Sequence, residues 1–141
     1  MVTAEPPTTG TPVREIHVSA AVITDAAGRL LLVRKAGTTA FMQPGGKPEP
    51  GETPAETLAR ELNEEIGVEV AARELRYVGS YRASAANEPG FVVVAEVFEV
   101  DLGEQHPSIA AEIDELRWIT RADAAELEVA PLARTYFLPA R

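Results

Sequence analysis

The strongest periodic signal in the chain is a run at helical spacing between residues 54 and 66. At about 100° per residue, Ala55, Leu58, Ala59, Leu62 and Ile66 share one apolar arc. The ends of the run are marked. Thr53 is a good N-cap, Pro54 suits the first helical position, Glu56 completes a capping box and Gly67 is a stop signal. The spacing predicts a helix over Pro54–Ile66. Elsewhere the pattern is that of strands. "EIHVSAAVITD" (Glu15–Asp25) alternates, "AAGR" is a turn, and "RLLLVRKA" (Arg29–Ala36) completes a predicted hairpin. "ELRYVGSYRAS" (Glu74–Ser84) and "FVVVAEVFEVDL" (Phe91–Leu102) are two further strands joined by the turn-like "AANEPG". "ELRWIT" (Glu115–Thr120) is a short strand, and "RADAAEL" and "PLARTYFL" are closing helices. Gly37–Glu52, rich in Gly and Pro, and "GEQHPSIA" read as loops. A loop as long as the first tends to be functional in a compact domain. The order of strands, helix, strands and helix predicts an α/β fold, an α/β/α sandwich around a central mixed sheet.

Composition narrows the class. The 141 residues suit one domain, expected over residues 14–141. The first 13, rich in Pro, Thr and Gly, are expected to form a disordered tail. There is no cysteine, hence no disulfide, thiolate metal site or thiol nucleophile. The N-terminus lacks the basic start and apolar core of a signal peptide, and no apolar run approaches the length of a membrane span. A cytoplasmic protein with no membrane partner is expected. The formal net charge of −9 argues against a nucleic-acid groove, which would be basic. An acidic protein still binds an anionic substrate when a metal ion sits between them.

Acidic side chains crowd the predicted helix. Glu61, Glu64 and Glu65 lie within one and a half turns, and like charges at that spacing destabilise a helix. Mg2+ and Mn2+ are hard cations that prefer oxygen ligands and would offset the repulsion. A bare Glu-x-x-Glu-Glu also fits a solvated acidic face. The surroundings extend the pattern: Gly46, Glu52, Arg60, Glu61, Leu62, Glu64, Glu65, Gly67 and Val68 fill G-x5-E-x7-R-E-U-x-E-E-x-G-U, with U aliphatic. In this the chain resembles the Nudix hydrolase family, and every defining position is occupied. Physical reasons accompany the pattern. Gly45 and Gly46 allow close backbone approach. Glu52 and Arg60 can pin the loop to the helix by charge-assisted bonds. Lys47 can place positive charge near a phosphate.

The resemblance implies a pyrophosphohydrolase. Family members of this kind cleave a nucleoside diphosphate linked to another group, with Mg2+ or Mn2+, by water attack on phosphorus. By motif position, the Gly46 carbonyl and the carboxylates of Glu64 and Glu65 would be metal ligands. Glu61 would be a ligand or the general base. Many members place a further Glu in a later loop, which makes Glu112 the first candidate for the base and Glu115 the second. Arg34 and Lys35 are candidates for phosphate contact or plain strand ends. Phe41 is a candidate for stacking on a base or for the core. Gln43 replaces the apolar residue usual before Pro-Gly-Gly and is a candidate for a substrate hydrogen bond or a loop bond. His17 reads as structural, His106 as a loop residue within reach of substrate, and Trp118 as core.

Subfamily marks for ADP-ribose and dinucleoside polyphosphates are not filled at Ala83–Ala86. That leaves the generic group, which resembles nucleoside triphosphate pyrophosphohydrolases. The small-molecule substrate is thus expected to be a (d)NTP-type nucleotide, with ADP-ribose or a nucleotide sugar as the alternative. A nucleotide-sensing module without turnover is a further reading, but such modules usually lose box carboxylates and none is lost here. A homodimer is the family-level expectation.

Overall fold

The structure is a computed structural model and describes residues 14–140. The tail expected over residues 1–13 lies outside the described residues. Six strands and three helices follow one another as β1 (Arg14–Val22), β2 (Leu30–Lys35), β3 (Gly45–Gly46), α1 (Pro54–Ile66), β4 (Arg76–Ser84), β5 (Phe91–Glu99), β6 (Ile113–Ile119), α2 (Arg121–Ala125) and α3 (Pro131–Tyr136). A short 3-10 turn at Ala72–Glu74 precedes β4 and takes Glu74 from the start of the third predicted strand.

Strands β3, β1, β5 and β4 form one mixed sheet in that order. β1 runs parallel to β5 and antiparallel to β3, and β4 and β5 are antiparallel neighbours. Strands β2 and β6 pair antiparallel as a second sheet. The predicted hairpin between β1 and β2 therefore exists only at its mouth. Asp25 builds the turn by accepting from the Ala27 and Arg29 amides, and the Leu31 amide donates to the Ile23 carbonyl at 2.9 Å. Beyond that point the strands part into different sheets. The reason lies in their composition: the end of β1 and the residue after it, Ala20–Ile23, are apolar on both faces, and both need covers. Ala21 and Ile23 face a core with Leu58, Leu62 and Ile66 of α1. Ala20 faces another with Ala95, Val97 and Leu132 of α3. Leu31 and Val33 of β2 join the α1 core, while Leu30 and Leu32 pack with Phe41, Ile119 and Ala133. Helices thus cover both sides of the strands, as the element order predicts.

Helix α1 has the predicted bounds and caps. The Glu56 amide donates to Thr53 Oγ1 at 3.2 Å and the Thr53 amide to Glu56 Oε1 at 2.9 Å. Gly67 closes the helix at φ 67°, a left-handed conformation that suits glycine. The loop before α1 is more ordered than a Gly/Pro-rich stretch suggests. Met42 bridges Val33, Phe41 bridges Val129, and Gly45–Gly46 forms β3 against β1. No helix among the described residues is long and apolar enough to cross a membrane.

Candidate active site

Two glycines bring the loop onto the helix. A Cβ on Gly45 would collide with the Ser19 carbonyl, and one on Gly46 with the Glu61 carboxylate. Neither side has room for a side chain, so β1, β3 and α1 meet at contact distance there. The Gly45 amide donates to Glu65 Oε1 at 3.0 Å.

Before the helix, Glu52 and Arg60 form the expected clamp. Arg60 Nε donates to Glu52 Oε2 at 2.7 Å and Nη2 to Oε1 at 3.0 Å, a two-pronged contact. Glu52 Oε1 also accepts from the Glu49 amide at 2.8 Å and from Thr57 Oγ1 at 2.9 Å. Arg60 Nη2 reaches the Lys47 carbonyl at 3.0 Å, which ties the loop to the helix. The guanidinium holds the Glu52 carboxyl down at about 2, and Glu52 in turn raises the pKa of Arg60.

The three helix carboxylates do not share one environment, although the sequence places them within one and a half turns of each other. Taking 100° per residue, Glu65 lies 40° to one side of Glu61 and Glu64 60° to the other. Glu65 therefore turns towards the sheet and is 6% exposed. Glu64 turns away, its side chain 53% exposed, and meets Arg60 Nη1 at 3.3 Å. Glu61 lies between them and also accepts from Arg60 Nη1 at 3.3 Å. Burial pushes the Glu65 carboxyl up to about 7, opposed by the Gly45 amide and the charge of Lys35. Burial also raises Glu61, against the pull of Arg60.

Glu112 is close enough to Glu65 for its charge to raise the Glu65 pKa further. It stands at the start of β6, where its carbonyl accepts from the Ala36 amide at 2.7 Å. The preceding Ala111 has φ 51°, a left-handed conformation that costs a non-glycine residue about 1–2 kcal/mol. The segment before it is fixed to α1: the Ser108 amide donates to the Ile66 carbonyl and the Ala110 amide to the Glu65 carbonyl, each at 3.0 Å. Glu115 is engaged elsewhere. Its carboxylate meets Arg117 at 2.6 Å and Arg34 at 3.5 Å, and Arg117 holds its pKa below the usual range.

A cleft of about 520 Å³ opens beside Gly46 and Glu61. That volume suits a small-molecule ligand. Of the substrate candidates, Lys35, Gln43 and Lys47 line it. Arg34 and Phe41 do not reach it. Arg34 donates to the Thr38 carbonyl at 3.0 Å and pairs with Glu115. Phe41 is buried in the core with Leu30 and Ile119, under the Arg117 guanidinium at 5.4 Å. Trp118 packs at the edge of the α1 core, as its reading predicts. The apolar wall, including Val18, Val93 and Leu132, comes from β1, β5 and α3. None of these residues stands out in the sequence, because a strand valine facing a cleft reads the same as one facing the core.

A family model described as NUDIX domain matches residues 13–139. The chain belongs to the Nudix family. Relatives within and around the family agree. A MutT-like protein of Streptomyces ambofaciens is 30% identical over 118 residues, covering 84% of this chain and 71% of that protein. An 8-oxo-dGTP diphosphatase of Haemophilus influenzae is 41% identical over 64 residues, 43% of this chain and 47% of that protein. This second match therefore spans less than half of either protein. The solution structure of the E. coli ORF135 protein superposes with a TM-score of 0.63 at 27% identity, over 92% of this chain and 96% of that one. As a Nudix hydrolase the chain acts on acid anhydride bonds in phosphorus-containing compounds.

Nudix hydrolases are generally dependent on a divalent metal. Among the described residues, no three His, Cys, Asp or Glu side chains are gathered into a ready-made metal cage. The donor chemistry nonetheless fits a hard cation. Glu61 and Glu65 stand one turn apart beside the Gly46 backbone, every donor is oxygen, and Glu65 is buried with a single hydrogen-bond donor on its carboxylate.

Proposed function

We propose that this Nudix hydrolase is an Mg2+- or Mn2+-dependent pyrophosphohydrolase of (d)NTP-type nucleotides. It would split the chain of phosphates by water attack on phosphorus and release a nucleoside monophosphate and pyrophosphate. The observation that carries the reading is the junction of two features. A half-buried carboxylate, Glu61, lines a largely apolar cleft together with Lys35 and Lys47, and the buried carboxylate of Glu65 stands one turn further along α1. Phosphates fit the charged end, and the flat base fits the apolar wall.

Glu61, Glu65, Glu64 and the Gly46 carbonyl are the residues that would hold the metal. Mg2+ or Mn2+ bound there would offset phosphate charge and lower the pKa of the attacking water. Lys35 and Lys47 neutralise phosphate oxygens. Glu112 takes the proton from the attacking water, and its nearness to Glu65 together with the engagement of Glu115 favours it as the base. The Glu52–Arg60 clamp fixes the loop against the helix and touches no reacting atom.

The test is a phosphate and pyrophosphate release assay with either metal. The panel contains dNTPs, 8-oxo-dGTP, ADP-ribose, nucleotide sugars and dinucleoside polyphosphates, with Glu65→Gln as the blank. Turnover of a triphosphate that disappears in the blank supports the reading. Turnover of ADP-ribose alone moves the assignment to that substrate. Tight nucleotide binding without turnover across the panel replaces the enzyme with a sensor.

A further inference from the structure

Gln43 is 6% exposed and forms part of the cleft wall. Its Nε2 donates to the Ala21 carbonyl at 3.0 Å, which settles which end of the amide is nitrogen. Its Oε1 has no hydrogen-bond partner, and among the described residues it is the one buried side-chain polar atom in that condition. The Ser19 and Thr38 hydroxyls of the cleft are already engaged. Ser19 Oγ donates to the Pro54 carbonyl and Thr38 Oγ1 to the Lys35 carbonyl, both at 2.8 Å. A buried acceptor without a donor is costly, and natural proteins hold few of them without a reason. An apolar residue here would avoid the cost. The surrounding wall is apolar, with Val18, Ala20, Val93 and Leu132. Pockets of that kind take a flat body and leave its orientation to a few polar groups.

We infer that Gln43 Oε1 is the acceptor for an exocyclic amine on the substrate's base, which makes Gln43 a specificity-determining residue of the cleft. The terminal amide torsion of glutamine is soft, so a modest rotation tilts Oε1 towards the ligand without backbone movement, lengthening the Nε2 bond to Ala21 as it does so. An exocyclic amine projects beyond the ring edge and reaches an acceptor recessed in a wall, where a ring N–H falls short. The inference rests on the nucleoside triphosphate reading above and adds the chemical mark that the base must carry.

Matched substrates test it. dGTP and dITP differ only by the amine on C2, and dCTP and dUTP exchange an amine for a carbonyl. kcat/KM is measured with Mg2+ for the wild type, Gln43→Leu and Gln43→Met, together with melting curves without nucleotide. The wild type is expected to favour the amine-bearing member of at least one pair by about tenfold or more. Both variants should bring that ratio to within about twofold while melting cooperatively, since loss of the orphaned Oε1 is offset by loss of the Nε2 bond to the Ala21 carbonyl. A wild type indifferent to the amine in both pairs overturns the inference, as does a ratio that survives in the folded variants. Loss of cooperative melting in both variants would make Gln43 a structural tie to Ala21 and overturn it too. If no triphosphate is turned over at all, the proposed function itself falls, an outcome distinct from turnover without discrimination.

Discussion

Glu52 and Glu65 belong to the same sequence motif and are both glutamates, yet they occupy opposite environments. Glu52 accepts four hydrogen bonds, two of them from a guanidinium, and its pKa falls to about 2. Glu65 is buried with one amide donor on its carboxylate, and its pKa rises to about 7. The first carboxylate is saturated by the protein and has little left to offer a ligand. The second is short of counter-charge and has acceptor capacity to spare. In the proposed site, ligand and scaffold are therefore separated by how fully each carboxylate is supplied, not by residue type.

The comparison can be broken most directly by removing the charge at 65. Glu65→Gln should lower metal-dependent turnover by about 10²-fold or more, on the scale of losing a key electrostatic group. Its metal-free melting temperature should hold or rise, because a buried charge has gone. Glu64→Gln should lower turnover on a similar scale and leave that melting temperature unchanged, since Glu64 is exposed. Full activity in both variants would remove the site assignment.

Breaking the saturated side should have the reverse profile. Glu52→Gln leaves Arg60 without its main partner, so the melting temperature should fall by a few degrees with or without metal. Turnover should fall less than in Glu65→Gln, through a loosened loop. A variant as stable as wild type would show that the clamp is decorative.

The two glutamates also predict opposite responses to acid in metal-free protein. The folded-state pKa of Glu65 is raised from 4.5 to about 7, so the folded form binds that proton more tightly. Its contribution to stability therefore grows as pH falls from about 7 towards 4.5. The folded-state pKa of Glu52 is lowered from 4.5 to about 2, so its contribution is present above 4.5 and is lost as pH falls towards 2. Melting curves in EDTA should show Glu65→Gln flattening the first limb and Glu52→Gln weakening the second. A first limb unchanged by Glu65→Gln would contradict the burial of that carboxylate. The smallest effect is expected at Arg34, which lies off the cleft: Arg34→Ala should keep turnover close to that of the wild type.

Helix α1 and the motif were legible because their signals are local. Thr53, Pro54, Glu56 and Gly67 act on the backbone within a turn of themselves, and the helix has the predicted bounds. The division of Glu61, Glu64 and Glu65 was not legible, because it depends on which side of the helix the sheet occupies. The β1–β2 turn is legible in Ala26–Arg29, but its strands separate because each finds better cover elsewhere in the chain. β3 is only two residues long and carries no side chains, so no periodicity announces it. Arg34 and Lys35 are adjacent cations at a strand end. Alternation sends one to Glu115 and the other to the cleft, and only the register of β2 against β6 decides which.

The bonds from Ser108 and Ala110 to the last carbonyls of α1 have a consequence for motion. A helix end leaves carbonyls that need donors, and here donors arrive from a segment some forty residues further along the chain. The segment cannot lift away without orphaning those carbonyls, so it and the final turn of the helix form one cooperative opening unit. The amide protons of Ser108 and Ala110 are then expected to exchange with solvent together with those of the last turn of α1, and Glu112, two residues further on, is tethered to the helix rather than left on a free loop.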